Sequence, residues 1–360
     1  MRLPCCTFAA VLLVALAGPV FSDEPDPRIE AFWVLLHEPA VVEELKLSAE
    51  QQSRFTTMRD GWDLRFFPLR NQKPEVSRPT FAALVAEARE ELKEVLDERQ
   101  ETRLREVELR RLGTDSFLQP EMEPVLKLTD SQKEKIRAIV SETRESLQRA
   151  AAKAKEEKTP QKQLEGRLRT LKIGEQRKVL DRLTQAQRDG WTRMLGEAFD
   201  VTRLGRPAFR VPDLIDSGQW ANSEGLASSS LRGKVVAVHF YAFGCINCIH
   251  NYPAYLDWQS RYRGQDLVIV GIHTPETKAE RDIEAVKRKA AEEKFEFPVL
   301  IDVDSKNWDA WGNSMWPSVY LVDKAGRLRF YWTGELNWQG QTGEAQMRKH
   351  IEELLTEPAP

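Results

Sequence analysis

Between residues 40 and 200, apolar positions recur three and four apart through heavily charged stretches, which is the pattern of amphipathic helices. One phrase punctuates this region four times: Leu47-Ser-Ala-Glu-Gln51, Leu96-Asp-Glu-Arg-Gln100, Leu128-Thr-Asp-Ser-Gln132 and Leu183-Thr-Gln-Ala-Gln187. In each, a Ser, Asp or Thr is followed three residues later by Gln. The short side chain accepts from a free N–H of the first turn, and the Gln reaches back to the N–H of the cap. Each phrase therefore predicts a helix start, with the preceding leucine packing as a staple. The phrases pair into a longer repeat. A shift of 81 lays Leu45 on Leu126, Gln51 on Gln132, Phe55 on Ile136, Met58 on Ile139 and Phe66 on Leu147. A shift of 87 lays Leu96 on Leu183, Leu104 on Trp191 and Val107 on Met194. The expectation is an all-α domain over residues 23–200, made of two copies of a helical hairpin.

Near residue 200 the pattern changes, where Gly205, Pro207 and Pro212 interrupt it. Beyond that point, short apolar runs alternate with amphipathic segments. Strands are predicted over 234–241, 267–272, 297–302, 318–322 and 328–332, and helices over 245–262, 278–294 and 347–355. Such alternation predicts an α/β domain over residues 201–360, with a mixed, partly parallel sheet flanked by helices. Charge follows the same boundary: 68 of the 178 residues in 23–200 are charged, against 40 of the 160 in 201–360.

The first residues add a compartment. Arg2 precedes an unbroken apolar run over 8–17, and small residues follow. This reads as a signal peptide over residues 1–22, cleaved after Ser22 or, alternatively, after Ala17. The run is short for a bilayer span, which needs about 20 apolar residues; an uncleaved anchor is the competing reading. No later segment is long and apolar enough to cross a membrane, so the mature chain is expected not to span one. A formal net charge of −3 exerts no strong pull on nucleic acid. Secretion, and most simply a periplasmic location, is the expectation.

Cys5 and Cys6 would leave with the signal peptide, so two of the four cysteines remain. They form a single Cys245-Ile-Asn-Cys248, placed where a predicted strand turns into a helix. At a helix N-terminus, unpaired N–H groups and the helix dipole favour the thiolate of the first cysteine, which is the nucleophilic form. The second lies three residues on, where it can resolve a mixed disulfide. Gly244 would let a partner backbone approach. A half zinc site needs a second Cys/His pair, and His239, His250 and His273 are scattered singly. A structural disulfide closing so small a loop would stabilise little. No cofactor is called for.

The segments Gly205-Arg-Pro-Ala-Phe, Leu231-Arg-Gly-Lys-Val-Val and Phe240-Tyr-Ala-Phe-Gly-Cys-Ile-Asn-Cys-Ile-His-Asn-Tyr-Pro253 resemble the TlpA/ResA branch of thioredoxin-like proteins. Cys-Ile-Asn-Cys followed by Ile-His is most similar to the thioredoxin-like domain attached to DipZ-type membrane proteins. Leu267-Val-Ile-Val-Gly-Ile-His-Thr-Pro-Glu276 and Met315-Trp-Pro-Ser-Val-Tyr-Leu-Val-Asp323 continue the match in order, over about residues 205–355. The resemblance implies a thioredoxin-like fold and a cis proline at Pro317, after Trp316, presenting backbone to a bound partner chain. Three positions depart from the pattern. Gly244 stands where many thioredoxins have Trp, His239 where they have a buried acid, and Asn251 where ResA-like proteins have Glu. His239 could then take the proton of Cys248 during resolution, or be a core histidine. The four helix-start phrases resemble the L-T-x-x-Q motif of Spy/CpxP-like periplasmic proteins, which implies chaperone or sensor work.

The resemblance implies a thiol–disulfide oxidoreductase exchanging disulfides with protein partners, supplied by a membrane electron donor or acceptor. Two other functions compete. A peroxiredoxin-type peroxidase looks for Pro and Thr seven and three residues before the reactive cysteine, and those positions hold Val238 and Ala242. A redox-linked binding, chaperone or sensor protein would use the helical half to hold clients.

Overall fold

The computed structural model describes residues 27–157 and 159–359. The predicted signal peptide over 1–22, with either cleavage site, lies outside them. Among the described residues no helix is long and apolar enough to cross a membrane. The described residues divide into two compact units: those of 27–55 and 85–207, and those of 56–84 and 208–359.

The first unit is helical. Its main helices are Glu98–Leu112, Asp130–Glu156, Gln161–Leu180 and Gln185–Leu195. All four phrases sit at helix starts with the cap and the Gln bonded to each other. Gln100 N–H donates to Asp97 Oδ1 at 2.8 Å, and Asp97 N–H to Gln100 Oε1 at 2.9 Å. The same pair of bonds joins Ser48 with Gln51, Thr129 with Gln132 and Thr184 with Gln187. The glutamines also pair across the unit. Gln51 Nε2 donates to Val95 O and to Gln100 Oε1, while Gln100 Nε2 donates to Leu45 O. Gln132 Nε2 donates to Arg182 O and Gln187 Oε1, while Gln187 Nε2 donates to Leu126 O. Leu45 and Leu126 are 81 apart and Val95 and Arg182 are 87 apart, so the two offsets seen in the sequence recur in the hydrogen bonds. The Gln thus satisfies two sets of orphan helix-end groups, its own cap and the carbonyl closing the facing helix. A core of Leu109, Phe117, Met122, Ile136, Val179 and Trp191 fills one half of the unit.

The second unit carries a seven-stranded mixed sheet. Its strands are β1 (Phe209–Arg210), β2 (Trp220–Ala221), β3 (Val235–Tyr241), β4 (Leu267–His273), β5 (Val299–Ile301), β6 (Ser318–Val322) and β7 (Arg327–Thr333). Their spatial order is β1-β7-β6-β3-β4-β5-β2. β3, β4 and β5 run parallel, joined through the helices Ile246–Arg261 and Ile283–Glu292; the other pairings are antiparallel. All seven residues of β3 are buried. Its near-continuous apolar run suits a central strand covered on both faces.

The segment 56–84 groups with this sheet, whereas the boundary expected near residue 200 put it in the helical domain. Its anchors are specific. The rings of Phe66 and Phe209 are 5.4 Å apart, and those of Phe67 and Trp311 5.7 Å. Asp63 Oδ2 accepts from Arg210 N–H at 2.7 Å, and Asp60 pairs with Arg327 at 2.8 Å. Arg70 donates to Trp311 O at 2.9 Å with its guanidinium 4.0 Å above the Phe67 ring. Asn71 donates to Gly312 O. Gly312 has φ of +59°, and a Cβ there would sit 2.6 Å from Phe67 O. Only glycine meets both demands.

Candidate active site

β3 ends at Tyr241, and the four residues 242–245 lead into the helix Ile246–Arg261. Cys245 is its N-cap, with extended backbone at φ −76° and ψ 112°. Cys248 N–H and Ile249 N–H both donate to Cys245 O, at 3.0 and 3.1 Å. The helix therefore begins at the first cysteine, and its positive end lies beside the Cys245 side chain. The two thiols, both free, differ sharply in access: Cys245 is half-buried and Cys248 is fully buried. Burial first, and a hydrogen bond with Cys245 second, push the Cys248 thiol well up. Cys248 is thus held as the protonated partner, which is the state expected of a resolving cysteine before a mixed disulfide forms.

The Trp316–Pro317 peptide is cis. Register places it: Phe240 on β3 pairs with Ser318 on β6, so Pro317 lies beside the C-terminal end of β3, where the dithiol turn starts. Pro317 O accepts from Gly334 N–H at 2.8 Å. Trp316 stacks on Trp308 at 4.0 Å and donates through Nε1 to Thr274 O at 3.1 Å. Cys245 and Trp316 pack against the same core cluster, which includes Cys248, Tyr252 and Tyr255. Exposed Ile246, Ile249 and Met315 add apolar surface on the helix and the cis-proline loop.

His239 packs on Tyr255 of the dithiol helix, and its surroundings are aromatic. It stacks on Tyr255 at 4.2 Å and meets Tyr241 at 5.1 Å and Phe297 at 5.3 Å. Neither ring nitrogen has a hydrogen-bond partner. Burial lowers its pKa to about 3. The ring is therefore neutral across the physiological range, and it is a poor acceptor for a thiol whose own acidity burial has suppressed. The geometry favours packing over the proton transfer weighed for it. Asn251, also buried, does a different job from the acid it replaces. Its Oδ1 accepts from Leu336 N–H at 2.8 Å and its Nδ2 donates to Gly334 O at 3.2 Å. It ties the loop after β7 to the dithiol helix.

Two residues assigned no role from the sequence hold the dithiol turn. His273, at the end of β4, accepts through Nε2 from Phe243 N–H at 3.3 Å. Glu280 accepts from Gly244 N–H at 2.8 Å. The available signal was Thr277-Lys-Ala-Glu280, a capping-box spacing that the structure uses as such.

Burial of two neutral histidines makes stability pH-dependent. Burial lowers the pKa of His273 to about 4, as it lowers that of His239 to about 3. In the unfolded chain both protonate near pH 6.5, so below that pH the unfolded state binds more protons and stability falls with pH. Each histidine should remove about 1.4 kcal/mol per pH unit until its native pKa is reached. Denaturant melts between pH 7 and pH 4 should show this loss, and His239→Phe should make the slope shallower. A slope unchanged in that variant would contradict the burial argument.

Strand order, dithiol helix and cis-proline loop give the C-terminal domain a thioredoxin-like fold, and it resembles proteins of the TlpA/ResA kind. A family model described as AhpC/TSA matches residues 207–331. Over 128 residues the chain is 35% identical to Protein DipZ of Mycobacterium bovis, covering 35% of this chain and 18% of that protein. It is 27% identical over 147 residues to the thiol-disulfide oxidoreductase YkuV of Bacillus subtilis, covering 41% of this chain and 95% of that one. To ResA of the same organism it is 26% identical over 115 residues, covering 32% of this chain and 62% of that one. The chain thus spans under a fifth of the DipZ protein it matches.

Proposed function

We propose that this protein is an extracytoplasmic thiol–disulfide oxidoreductase that exchanges disulfides with protein partners through Cys245 and Cys248. The observation that carries this reading is the asymmetry of the two thiols: one half-exposed at a helix N-terminus, the other fully buried one turn behind it. In the reducing direction, the Cys245 thiolate attacks one sulfur of a client disulfide. A Cys245–client disulfide forms, and the other client sulfur leaves as a thiolate. Cys248 then loses its proton and attacks Cys245 Sγ. The client departs with both sulfurs reduced, and the two electrons have come from the Cys245/Cys248 pair, now a disulfide. A dithiol donor, expected at the membrane, would restore the pair. Pro317 and Trp316 would line the client chain beside Gly244. The apolar run at residues 8–17 supports export, and the similarity to YkuV and ResA supports the chemistry.

A peroxiredoxin-type peroxidase is the competing chemistry, and Val238 and Ala242 stand where it looks for Pro and Thr. A paired assay separates the two. With dithiothreitol as donor, the full chain should accelerate insulin disulfide reduction and leave hydrogen peroxide consumption at the donor's own rate. Peroxide consumption without insulin reduction would overturn the proposal.

A further inference from the structure

The dithiol turn is held by a buried carboxylate that no step above uses. Glu280 is 2% exposed. Its Oε1 accepts from Gly244 N–H at 2.8 Å. Its Oε2 accepts from Glu276 N–H at 2.9 Å, Thr277 N–H at 2.7 Å and Thr277 Oγ1 at 3.0 Å. Four donors converge on it, and only an ionised carboxylate accepts from all of them without bringing a donor of its own. A Cβ on Gly244 would come within 2.9 Å of Oε1, so glycine before the first cysteine is what admits the carboxylate. The same stretch of chain reaches the other side of the site, because Thr274 O takes the Trp316 Nε1–H that precedes the cis proline.

Holding a turn does not require charge. In this same domain Asn251 ties down the loop after β7 with a neutral amide. Burying a carboxylate is costly, and at Glu280 four hydrogen bonds offset that cost. The charge itself has a consequence at the next residue. A fixed negative charge bonded to the amide of Gly244 opposes the build-up of a second negative charge on Cys245 Sγ.

We propose that Glu280 is a positioning residue that sets the reducing strength of the dithiol: it fixes the turn through Gly244 and, by its charge, restrains the Cys245 thiolate. This rests on the reading of Cys245 and Cys248 as an exchange pair. Disfavouring the thiolate stabilises the disulfide relative to the reduced form, so the pair gives up electrons more readily.

The test is Glu280→Gln in the full chain, which keeps the size and one acceptor and removes the charge. Two readouts need no client protein: the pH–rate profile of iodoacetamide labelling at Cys245, and the dithiol/disulfide ratio at equilibrium in a glutathione buffer. The labelling profile should move towards lower pH, with labelling at pH 7 faster than in the wild-type chain, the gain in thiolate being partly offset by its lower nucleophilicity. In the same buffer a larger fraction should stand reduced. A clamp with no electrostatic role would lower the melting temperature without moving the profile. If Glu280→Gln does not fold, Glu280→Asp, which draws the charge back by one methylene, should give a smaller shift in the same direction. An unmoved profile in a folded variant overturns the proposal. Failure of the wild-type chain to reduce insulin would instead overturn the exchange reading and leave the labelling profile to be read on its own.

Discussion

Cys245→Ser is expected to lower insulin disulfide reduction by about 10³-fold or more, to the rate set by the donor alone, because a hydroxyl does not replace a thiolate nucleophile. Cys248 cannot take over. It is fully buried, lies one turn inside the helix, and is held protonated by burial and by its neighbour. Cys248→Ser should behave differently. The first attack survives, the resolving step is lost, and the protein accumulates as mixed disulfide. Turnover then stalls after one equivalent. A Cys245→Ser variant that keeps more than a tenth of the wild-type rate would mean that Cys248 is the attacking thiol, against the exposure of the pair.

A chain cut to residues 201–360 should lose cooperative folding, although its sequence reads as a complete α/β domain. The cut removes Trp62, Phe66 and Phe67, which are 3%, 1% and 0% exposed in the unit that contains the sheet. Burying each of these side chains is worth about 2–3 kcal/mol. It also strips Arg210 N–H of Asp63, Arg327 of Asp60, and the carbonyls of Trp311 and Gly312 of Arg70 and Asn71. The combined loss approaches the whole stability of an ordinary domain, about 5–15 kcal/mol. Near-ultraviolet circular dichroism and thermal melts of the fragment should show weak aromatic signals and no sharp transition, while the full chain melts cooperatively. Arg70→Ala in the full chain should move stability the same way by a smaller step. A fragment that melts as sharply as the full chain, at the same temperature, would contradict the grouping of residues 56–84 with the sheet.

That segment shows where reading the sequence stops. Local signals were legible: the capped phrases at Ser48, Asp97, Thr129 and Thr184, the apolar run of β3, and the dithiol at a strand–helix turn all depend on neighbours within a few residues. Short strands were not. β1 and β2 are two residues each, with no run long enough to show a period. Residues 56–84 continue the helical pattern of the first half although they are less charged than the rest of it, 8 of 29 residues against 60 of 149, and the surface they pack on, around Phe209, Trp311 and Tyr320, lies far along the chain. The site divides in the same way. Cys245, Cys248 and the cis peptide before Pro317 lie in contiguous motifs, whereas Glu280 reaches Gly244 from 36 residues away. His239 fell between the two cases. Its place on a strand was predictable, but its ring of aromatic neighbours comes from β3, the dithiol helix and the loop before β5, and burial in that ring is what lowers its pKa.

The most direct test of the exchange reading is to trap its intermediate. The full-length Cys248→Ser variant, reduced and mixed with insulin, should form a covalent adduct that dithiothreitol releases, and peptide mass spectrometry should place the bond at Cys245. No adduct, or one formed equally well by the Cys245→Ser variant, would contradict it.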